Sequence, residues 1–146
     1  MARRPPQEIS CTLPSVITGI EDVCLNIKKI LLGQGLPEHC FAVELLAREF
    51  LTNAMRHGNE LDPRKRVYFS LHLGRKWIRM EITDEGKGFH RQRYPHRPSA
   101  DNTVTPGGRG LAIGTIYADR LRFNRAGNRV TLWINKIRKQ KGGMAL

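Results

Sequence analysis

Two alternating runs of residues, joined by a short turn, restrict the fold of this chain more than any other feature. Arg66–Leu73 carries an apolar residue at every second position, and so does the stretch from Trp77 to Asp84, with Gly74-Arg75-Lys76 between them. This pattern predicts two antiparallel strands that share one buried face. In the second run the two-residue period continues from Ile82 to Asp84, which places an aspartate on the core side at the strand end. We interpret that position as a ligand contact.

Further elements are predicted on both sides of this hairpin. Residues 7–13 alternate and predict a first strand, and residues 16–31 have helical spacing with Thr12 or Ser15 as the helix cap. The remaining elements are a second helix from Pro37 to Gly58, a third helix over residues 111–119, and strands over 121–123 and 130–134. Hairpins in place of regular βαβ units indicate an α+β two-layer sandwich, with about three helices on one face of a mixed, mostly antiparallel sheet.

The second helix has a carboxylate and an amide on its apolar side. Glu49 and Asn53 lie about one turn apart on a stripe that is otherwise apolar, whereas Asn59 is expected to face water. Burial of a carboxylate costs several kcal/mol of folding free energy unless the group is hydrogen-bonded, ion-paired or in contact with water. Two interpretations remain open: Glu49 forms a hydrogen bond to Asn53 or an arginine inside a helix interface, or the pair belongs to a functional site.

Two glycine-rich clusters stand at the ends of predicted elements. Asp84-Glu85-Gly86-Lys87-Gly88 follows the second hairpin strand, and Gly107-Gly108-Arg109-Gly110 precedes the third helix. A glycine-rich turn into a helix exposes N–H groups at the positive end of the helix dipole, which suits phosphate. Each cluster alone is more often a plain turn. Between them, residues 89–106 have no usable period and predict either a functional cover or a disordered segment.

Composition limits the class of protein. The chain has 146 residues, a length that predicts one domain. No apolar run is long enough to span a bilayer, which favours a cytoplasmic location, and three separated cysteines indicate reduced, mostly buried thiols. A net charge of +12 favours anionic partners such as nucleic acid, phosphates, anionic lipid or an acidic protein; the alternative is a merely basic surface.

In order along the chain, these clusters resemble the boxes of the GHKL ATPases. Glu49-x-x-x-Asn53-Ala54-x-x-His57-Gly58 resembles the N box, Asp84-x-Gly86-x-Gly88 the first glycine box, and Gly108-x-Gly110 the second, after a lid at about 89–106. Within that superfamily the chain most resembles the single-domain anti-sigma-factor serine kinases (RsbW/SpoIIAB-like). GLPEHC, ITDEGKGF, GGRGLAIG and AGNRVTLWINK carry this resemblance, which extends over about residues 9–137.

The resemblance implies a site for ATP and Mg²⁺. It makes Glu49 the catalytic base and Asn53 the metal ligand, and their chemistry agrees, because Mg²⁺ prefers oxygen ligands and few protein groups. Asp84 would accept a hydrogen bond from the adenine amine, with the backbone of Gly86 and Gly88 close to the base. The implied phosphate contacts are Gly108, Gly110 and Arg109, although Arg109 could equally face water.

A threonine near the adenine is also implied by the resemblance, at Thr131. Its parity is awkward, because Val130, Leu132 and Ile134 occupy the opposite face of the strand. Either this strand is apolar on both sides or Thr131 is a surface residue.

The implied organisation is a kinase domain over residues 9–137 between basic, flexible ends at 1–8 and 138–146. The implied function is an anti-sigma factor and serine/threonine kinase that phosphorylates an anti-anti-sigma (STAS-type) partner, sequesters a sigma factor and forms a homodimer. The alternative is an ATP-regulated binding module of the same fold with little or no phosphotransfer. A nucleic-acid binder ranks last, because no RNA-binding aromatic motif or helix-turn-helix pattern supports it.

Overall fold

The computed structural model describes residues 7–87 and 108–137. A five-stranded sheet has the order β1-β2-β3-β5-β4, and each of its four pairings is antiparallel. The strands are β1 (Glu8–Pro14), β2 (Arg66–Leu73), β3 (Trp77–Thr83), β4 (Arg120–Phe123) and β5 (Arg129–Asn135), and the helices are α1 (Ile20–Gly33), α2 (Cys40–Asn53) and α3 (Gly108–Tyr117). The predicted α+β two-layer sandwich is confirmed.

The β2–β3 hairpin forms as its alternation predicts. Phe69 pairs with Ile82 and Leu71 pairs with Met80, and these residues are buried. The strand β3 ends at Thr83, one residue before Asp84. The side chain of Asp84 still follows the buried phase, and the residue is only 4% exposed. The period of two therefore locates this carboxylate correctly.

The core lies between the helices and one face of the sheet. Apolar stripes of α1 and α2 meet the inward residues of β2, β3 and β5 in one cluster, which includes Ile27, Leu31, Leu46, Phe50, Phe69, Leu71, Met80, Ile82 and Leu132. Full burial of one such side chain contributes about 1.5–3 kcal/mol. The opposite face of the sheet carries mostly polar residues, as expected when one face of an antiparallel sheet is covered by helices.

The first helix begins differently from the prediction. After a 3₁₀ turn at Ile17–Gly19, α1 starts at Ile20 with Gly19 at the N-cap position. Ser15, one of the two predicted caps, is buried and donates a hydrogen bond from Oγ to the carbonyl oxygen of Lys65, at 2.8 Å. The Ser15 hydroxyl is thus used to connect the chain before α1 to the chain before β2.

An ion pair on the surface joins the first two helices. Arg48 of α2 donates to Glu21 of α1 at 2.8 Å. This hydrogen bond, together with the positive charge of Arg48, lowers the pKa of Glu21 below its ordinary value. Because both side chains are exposed to solvent, the pair contributes little to stability.

All three cysteines are free thiols. Cys24 is buried, which raises the pKa of its thiol, and Cys40 is half-buried, but Cys11 is exposed. The expectation of mostly buried thiols is therefore wrong for Cys11, because β1 is an edge strand of the sheet. Within residues 7–87 and 108–137, the helices lack the length and apolar character needed to cross a bilayer.

Candidate functional site

A widened helical turn connects α2 to the candidate site. Residues Ala54–Gly58 form a π-helical turn, and the N–H of Asn59 donates to the carbonyl oxygen of Ala54 at 2.8 Å. Glu60 and Leu61 then adopt positive φ values of 54° and 57°. Such π turns and left-handed non-glycine residues are uncommon and cluster at functional sites. The helical segment ends at Gly58, as predicted.

Gly58 lies directly against the carboxylate of Asp84. A Cβ atom at Gly58 would be 2.7 Å from Oδ1 of Asp84 and closer still to its carboxyl carbon. A Cβ atom at Gly86 would be 2.6 Å from the carbonyl carbon of Gly58 and 2.9 Å from Oδ1 of Asp84. Only glycine allows these backbones to approach so closely. The end of the Glu49 helix and the first glycine cluster are therefore brought together.

Backbone hydrogen bonds hold Asp84 in place. Its Oδ1 accepts from the N–H of Gly86 at 2.8 Å. Its own N–H donates to the carbonyl oxygen of Asn128 at 2.9 Å, and Nδ2 of Asn128 donates to the carbonyl oxygen of Asp84 at 3.1 Å. Asn128 belongs to the β4–β5 turn, so two separate loops fix the position of the aspartate.

A narrow pocket, with about 10 Å³ of free space, lies beside this carboxylate. Its walls come from α2, the π turn, β3, β4 and the β4–β5 turn, and its lining residues are Phe50, Ala54, Ile82, Asp84, Phe123, Gly127, Asn128, Arg129 and Val130. Ligand sites typically combine such apolar walls with a few fixed polar groups. An ionised carboxylate only accepts hydrogen bonds, so a ligand that enters here would present a donor, such as an amino group, to Asp84.

Glu49 and Asn53 lie on α2 near the pocket-lining residues Phe50 and Ala54. Asn53 is 8% exposed, and its Nδ2 has no hydrogen-bond partner within the described part of the chain. Glu49 is half-buried. A hydrogen bond between the two would need Nδ2 as its donor, so the Glu49–Asn53 bond of the first interpretation does not form.

The amide nitrogen of Asn53, which has no partner within the described residues, fits the implied phosphate, and a flipped amide would fit the implied metal. Buried polar atoms are normally paired, and the two ends of a carboxamide are exchanged by a flip of the amide. Asn53 can therefore present either its oxygen to a cation or its nitrogen to an anion. The oxygen is the kind of ligand that Mg²⁺ takes from proteins.

Asn59 is a residue of the site that the sequence pattern assigned wrongly to solvent. It is fully buried, its Nδ2 donates to Oγ of Ser15 and to the carbonyl oxygen of Arg66, both at 2.9 Å, and its Oδ1 accepts from the N–H of Glu85 at 2.8 Å. The helical period fails here because a π turn adds a residue and rotates the next part of the chain. The sequence feature that could have indicated this role is an asparagine directly after the glycine that ends the helix.

The carboxylate of Glu85 continues this network. It accepts from the N–H of Arg66 and from the hydroxyl of Tyr68 at 3.5 Å. The chain after β3 is thus fixed to the start of β2 as well as to Asn59. This network sets the position of the neighbouring Asp84 and Gly86.

Thr131 is not brought to the pocket. It pairs with Glu81 of β3 and with Arg122 of β4, so it lies on the sheet face opposite to Asp84, although it is only 9% exposed. Its neighbour Val130 lines the pocket instead. Neither alternative holds: this face of β5 also carries the exposed Arg129 and is therefore not apolar, and Thr131 is buried instead of lying at the surface.

The second glycine cluster is only partly described. Gly108 and Gly110 lie in the first turn of α3, so this helix begins earlier than residue 111 and ends at Tyr117, before Asp119. A Cβ atom at Gly114 would be 3.1 Å from the Phe50 ring, which shows how closely α3 packs on α2. Gly88, the lid at 89–106 and the side chain of Arg109 lie outside the described residues.

Comparison with known families agrees with this geometry. The chain matches the family described as "Histidine kinase-like ATPase domain" over residues 16–134. The match begins before α1 and ends within β5, and it includes Glu49, Asn53, Asp84 and both glycine clusters. No curated protein matches the chain. Because the matched region covers most of its length, this chain belongs to the histidine kinase-like ATPase domain family, within the GHKL superfamily, whose members bind ATP.

Proposed function

We propose that this protein is an ATP-dependent serine/threonine kinase of the anti-sigma-factor type. It would phosphorylate an anti-anti-sigma (STAS-type) partner, sequester a sigma factor, and act as a homodimer. The support for the kinase subfamily is the resemblance of the sequence blocks around Glu49, Asp84 and Gly108. The support for ATP as the nucleotide is the family match and the pocket beside Asp84.

The observation that carries this proposal is the contact of Gly58 and Gly86 with the Asp84 carboxylate. It holds one buried acceptor against a pocket with apolar walls. A carboxylate at that position accepts from the exocyclic amine of adenine and repels the carbonyl oxygen that guanine has there. Asp84 is therefore the group that selects an adenine nucleotide.

The two residues to which we assign catalytic roles, Glu49 and Asn53, both lie on α2. Bound ATP, with Mg²⁺, supplies the γ-phosphoryl group, which passes to the hydroxyl oxygen of the acceptor serine or threonine as ADP leaves. Glu49 accepts the proton of that hydroxyl, and its half-buried position leaves it accessible to a partner protein. Asn53 offers its carboxamide oxygen to Mg²⁺ one turn later.

Calorimetric titration tests the nucleotide assignment. We expect the wild-type protein to bind Mg-ATP more tightly than Mg-GTP. Asp84→Asn should weaken Mg-ATP binding roughly tenfold or more, because asparagine has one acceptor oxygen where the carboxylate has two, and one of these already accepts from the N–H of Gly86. Asp22→Asn is the matched control, since Asp22 is an exposed aspartate of α1. Equal affinity of the wild-type protein for both nucleotides would remove Asp84 from this role.

Phosphotransfer is measured separately, with radiolabelled ATP and a STAS-type acceptor. Label on a serine or threonine of the acceptor supports the kinase. Tight Mg-ATP binding that alters acceptor affinity without transferring label would instead identify an ATP-regulated binding module.

A further inference from the structure

The sheet face turned away from the helices carries a cluster of arginines. Arg79 of β3, Arg120 and Arg122 of β4, and Arg129 of β5 are all exposed, and the alternation of the strands places them on this one face. The acidic residue among them is Glu81, which pairs with Thr131. We call these four arginines, together with Glu81, Thr131 and Trp133, the arginine face.

The register of the strands fixes how the arginine face is arranged. Trp133 pairs with Arg79 on one side and with Arg120 on the other, and Thr131 pairs with Arg122. Neighbouring strands are about 4.8 Å apart, and alternate residues of one strand about 7 Å apart. Arg120 lies over the Trp133 ring, with its guanidinium carbon 5.2 Å from the ring centroid, so this aromatic group holds one cation in place.

A shallow hollow continues the same face toward β1. It is lined by Ser10, Cys11, Thr12, Tyr68, Phe69, Ser70, Glu81, Thr83 and Arg129. Arg129 donates from Nε to the hydroxyl of Thr83 at 3.0 Å. Arg129 of the arginine face therefore borders a concave surface rich in hydroxyl groups, which can pair with polar groups of a partner.

We propose that the arginine face binds an acidic segment of a partner protein. Guanidinium groups pair with carboxylates through two parallel hydrogen bonds, and the arginines outnumber the one glutamate among them. Arginine, tryptophan and tyrosine are also the residues that dominate binding energy in protein–protein interfaces. A partner segment with carboxylates at about 7 Å spacing, as on alternate residues of a strand, matches Arg120 and Arg122.

Two other occupants fit this surface less well. Single-stranded nucleic acid needs free aromatic faces on which bases stack, whereas Arg120 already covers Trp133 and Lys76 lies 5.7 Å from the ring centroid of Trp77. A second copy of this chain, laid face to face, would oppose arginines with arginines. Like charges in an interface cost binding energy.

This proposal rests on the proposed function in one respect. It takes the acidic partner to be a protein that the kinase phosphorylates or restrains. The arginine face and the Asp84 pocket lie on opposite faces of the sheet, and the residue they share is Arg129. Partner binding can therefore be measured without nucleotide, and a failure of ATP binding would leave this measurement intact.

The test uses charge reversal at two exposed arginines. The variant Arg79→Glu/Arg122→Glu is compared with Lys29→Glu/Arg75→Glu, which removes the same charge from an exposed residue of α1 and an exposed residue of the β2–β3 turn. The probe is a fluorescein-labelled poly-L-glutamate peptide, with single-stranded oligo(dT) of equal length beside it. Circular dichroism confirms folding, and Arg79→Gln/Arg122→Gln replaces the first variant if that one does not fold.

We expect the arginine-face variant to lose about tenfold or more in affinity for the glutamate peptide, and the control variant to lose less than about threefold. NMR spectra of the wild-type protein should show the peptide shifting the indole N–H signal of Trp133. Equal losses in the two variants would overturn the proposal, since net charge alone would then explain binding. Tighter binding of oligo(dT) through the same arginines, or a changed oligomeric state in the arginine-face variant, would overturn it in favour of nucleic acid or a second copy.

Discussion

Gly58 packs its backbone against the carboxylate of Asp84, so closely that a Cβ atom at Gly58 would lie 2.7 Å from Oδ1. Gly58 ends the π turn after α2, and Asp84 follows β3. Gly86 also lies against this carboxylate, since a Cβ atom there would be 2.9 Å from Oδ1. The end of the helix layer therefore meets the sheet layer through the Asp84 carboxylate. Both the shape of the pocket and the position of its acceptor depend on this contact.

Gly58→Ala should destabilise the protein and weaken nucleotide binding. The added methyl group must displace the Asp84 carboxylate, and overpacking of this kind costs about 1–3 kcal/mol. Urea unfolding measures the stability, and calorimetry with Mg-ATP measures the binding. Gly33→Ala is the control, because no atom lies within 4 Å of a Cβ there, and alanine in a helix is better than glycine by about 0.5–1 kcal/mol. Equal behaviour of the two variants would contradict the assigned contact.

Asn59→Ala should destabilise the fold by about 2–4 kcal/mol, because it leaves the N–H of Glu85 and the carbonyl oxygen of Arg66 without their buried partner. The free energy of unfolding in urea measures this loss. Asn26→Ala is the matched control on the exposed side of α1 and should change stability by no more than about 0.5 kcal/mol. A loss at Asn59 as small as that at Asn26 would remove Asn59 from its connecting role.

Glu49→Gln should abolish phosphotransfer and keep Mg-ATP affinity within about threefold, because a base acts on the acceptor proton and contributes little to nucleotide binding. The measurement pairs label transfer to a STAS-type acceptor with calorimetry on the same sample. Glu44→Gln, one turn earlier on α2, is the control and should retain transfer. Transfer at the wild-type rate by Glu49→Gln would assign the base to another group.

Thr131→Val should leave Mg-ATP affinity unchanged within about twofold, because the side chain lies on the face opposite to Asp84 and its removal takes nothing from the pocket. Val130→Ala, which shortens a side chain that lines the pocket, should lower affinity and also cost about 1–3 kcal/mol of stability. Calorimetry and urea unfolding check both variants. A loss of affinity at Thr131 that exceeds the loss at Val130 would reverse this assignment.

Regular elements were predictable from the sequence because their periods are fixed by backbone geometry. The alternation in β2 and β3 located both strands and placed Asp84 on the buried side, since a strand with one covered face has a strict period of two. The same rule placed Thr131 on the face of the strand opposite to Val130, Leu132 and Ile134. The resemblance placed that residue near the adenine, whereas the register of β5 places it beside Glu81 and Arg122.

The features that the sequence did not reveal depend on tertiary contacts or on local departures from regular geometry. Asn59 follows a π turn, where the helical period no longer applies. Gly58 was predicted as a helix end, but its close approach to Asp84 depends on how two distant segments pack. Cys11 has the phase of a buried residue, yet it is exposed, because the edge position of β1 is set by the order of the strands.

The single sheet has a consequence for how its two ligands would influence each other. Val130 lines the pocket and the adjacent Thr131 belongs to the arginine face. Consecutive residues of β5 therefore face the two proposed binding sites. The two proposed ligands would lie on opposite sides of the sheet, and Arg129, which lines both sites, is the place where they could meet. Any energetic communication must cross the sheet, and by thermodynamic reciprocity the factor by which the nucleotide changes partner affinity equals the factor by which the partner changes nucleotide affinity.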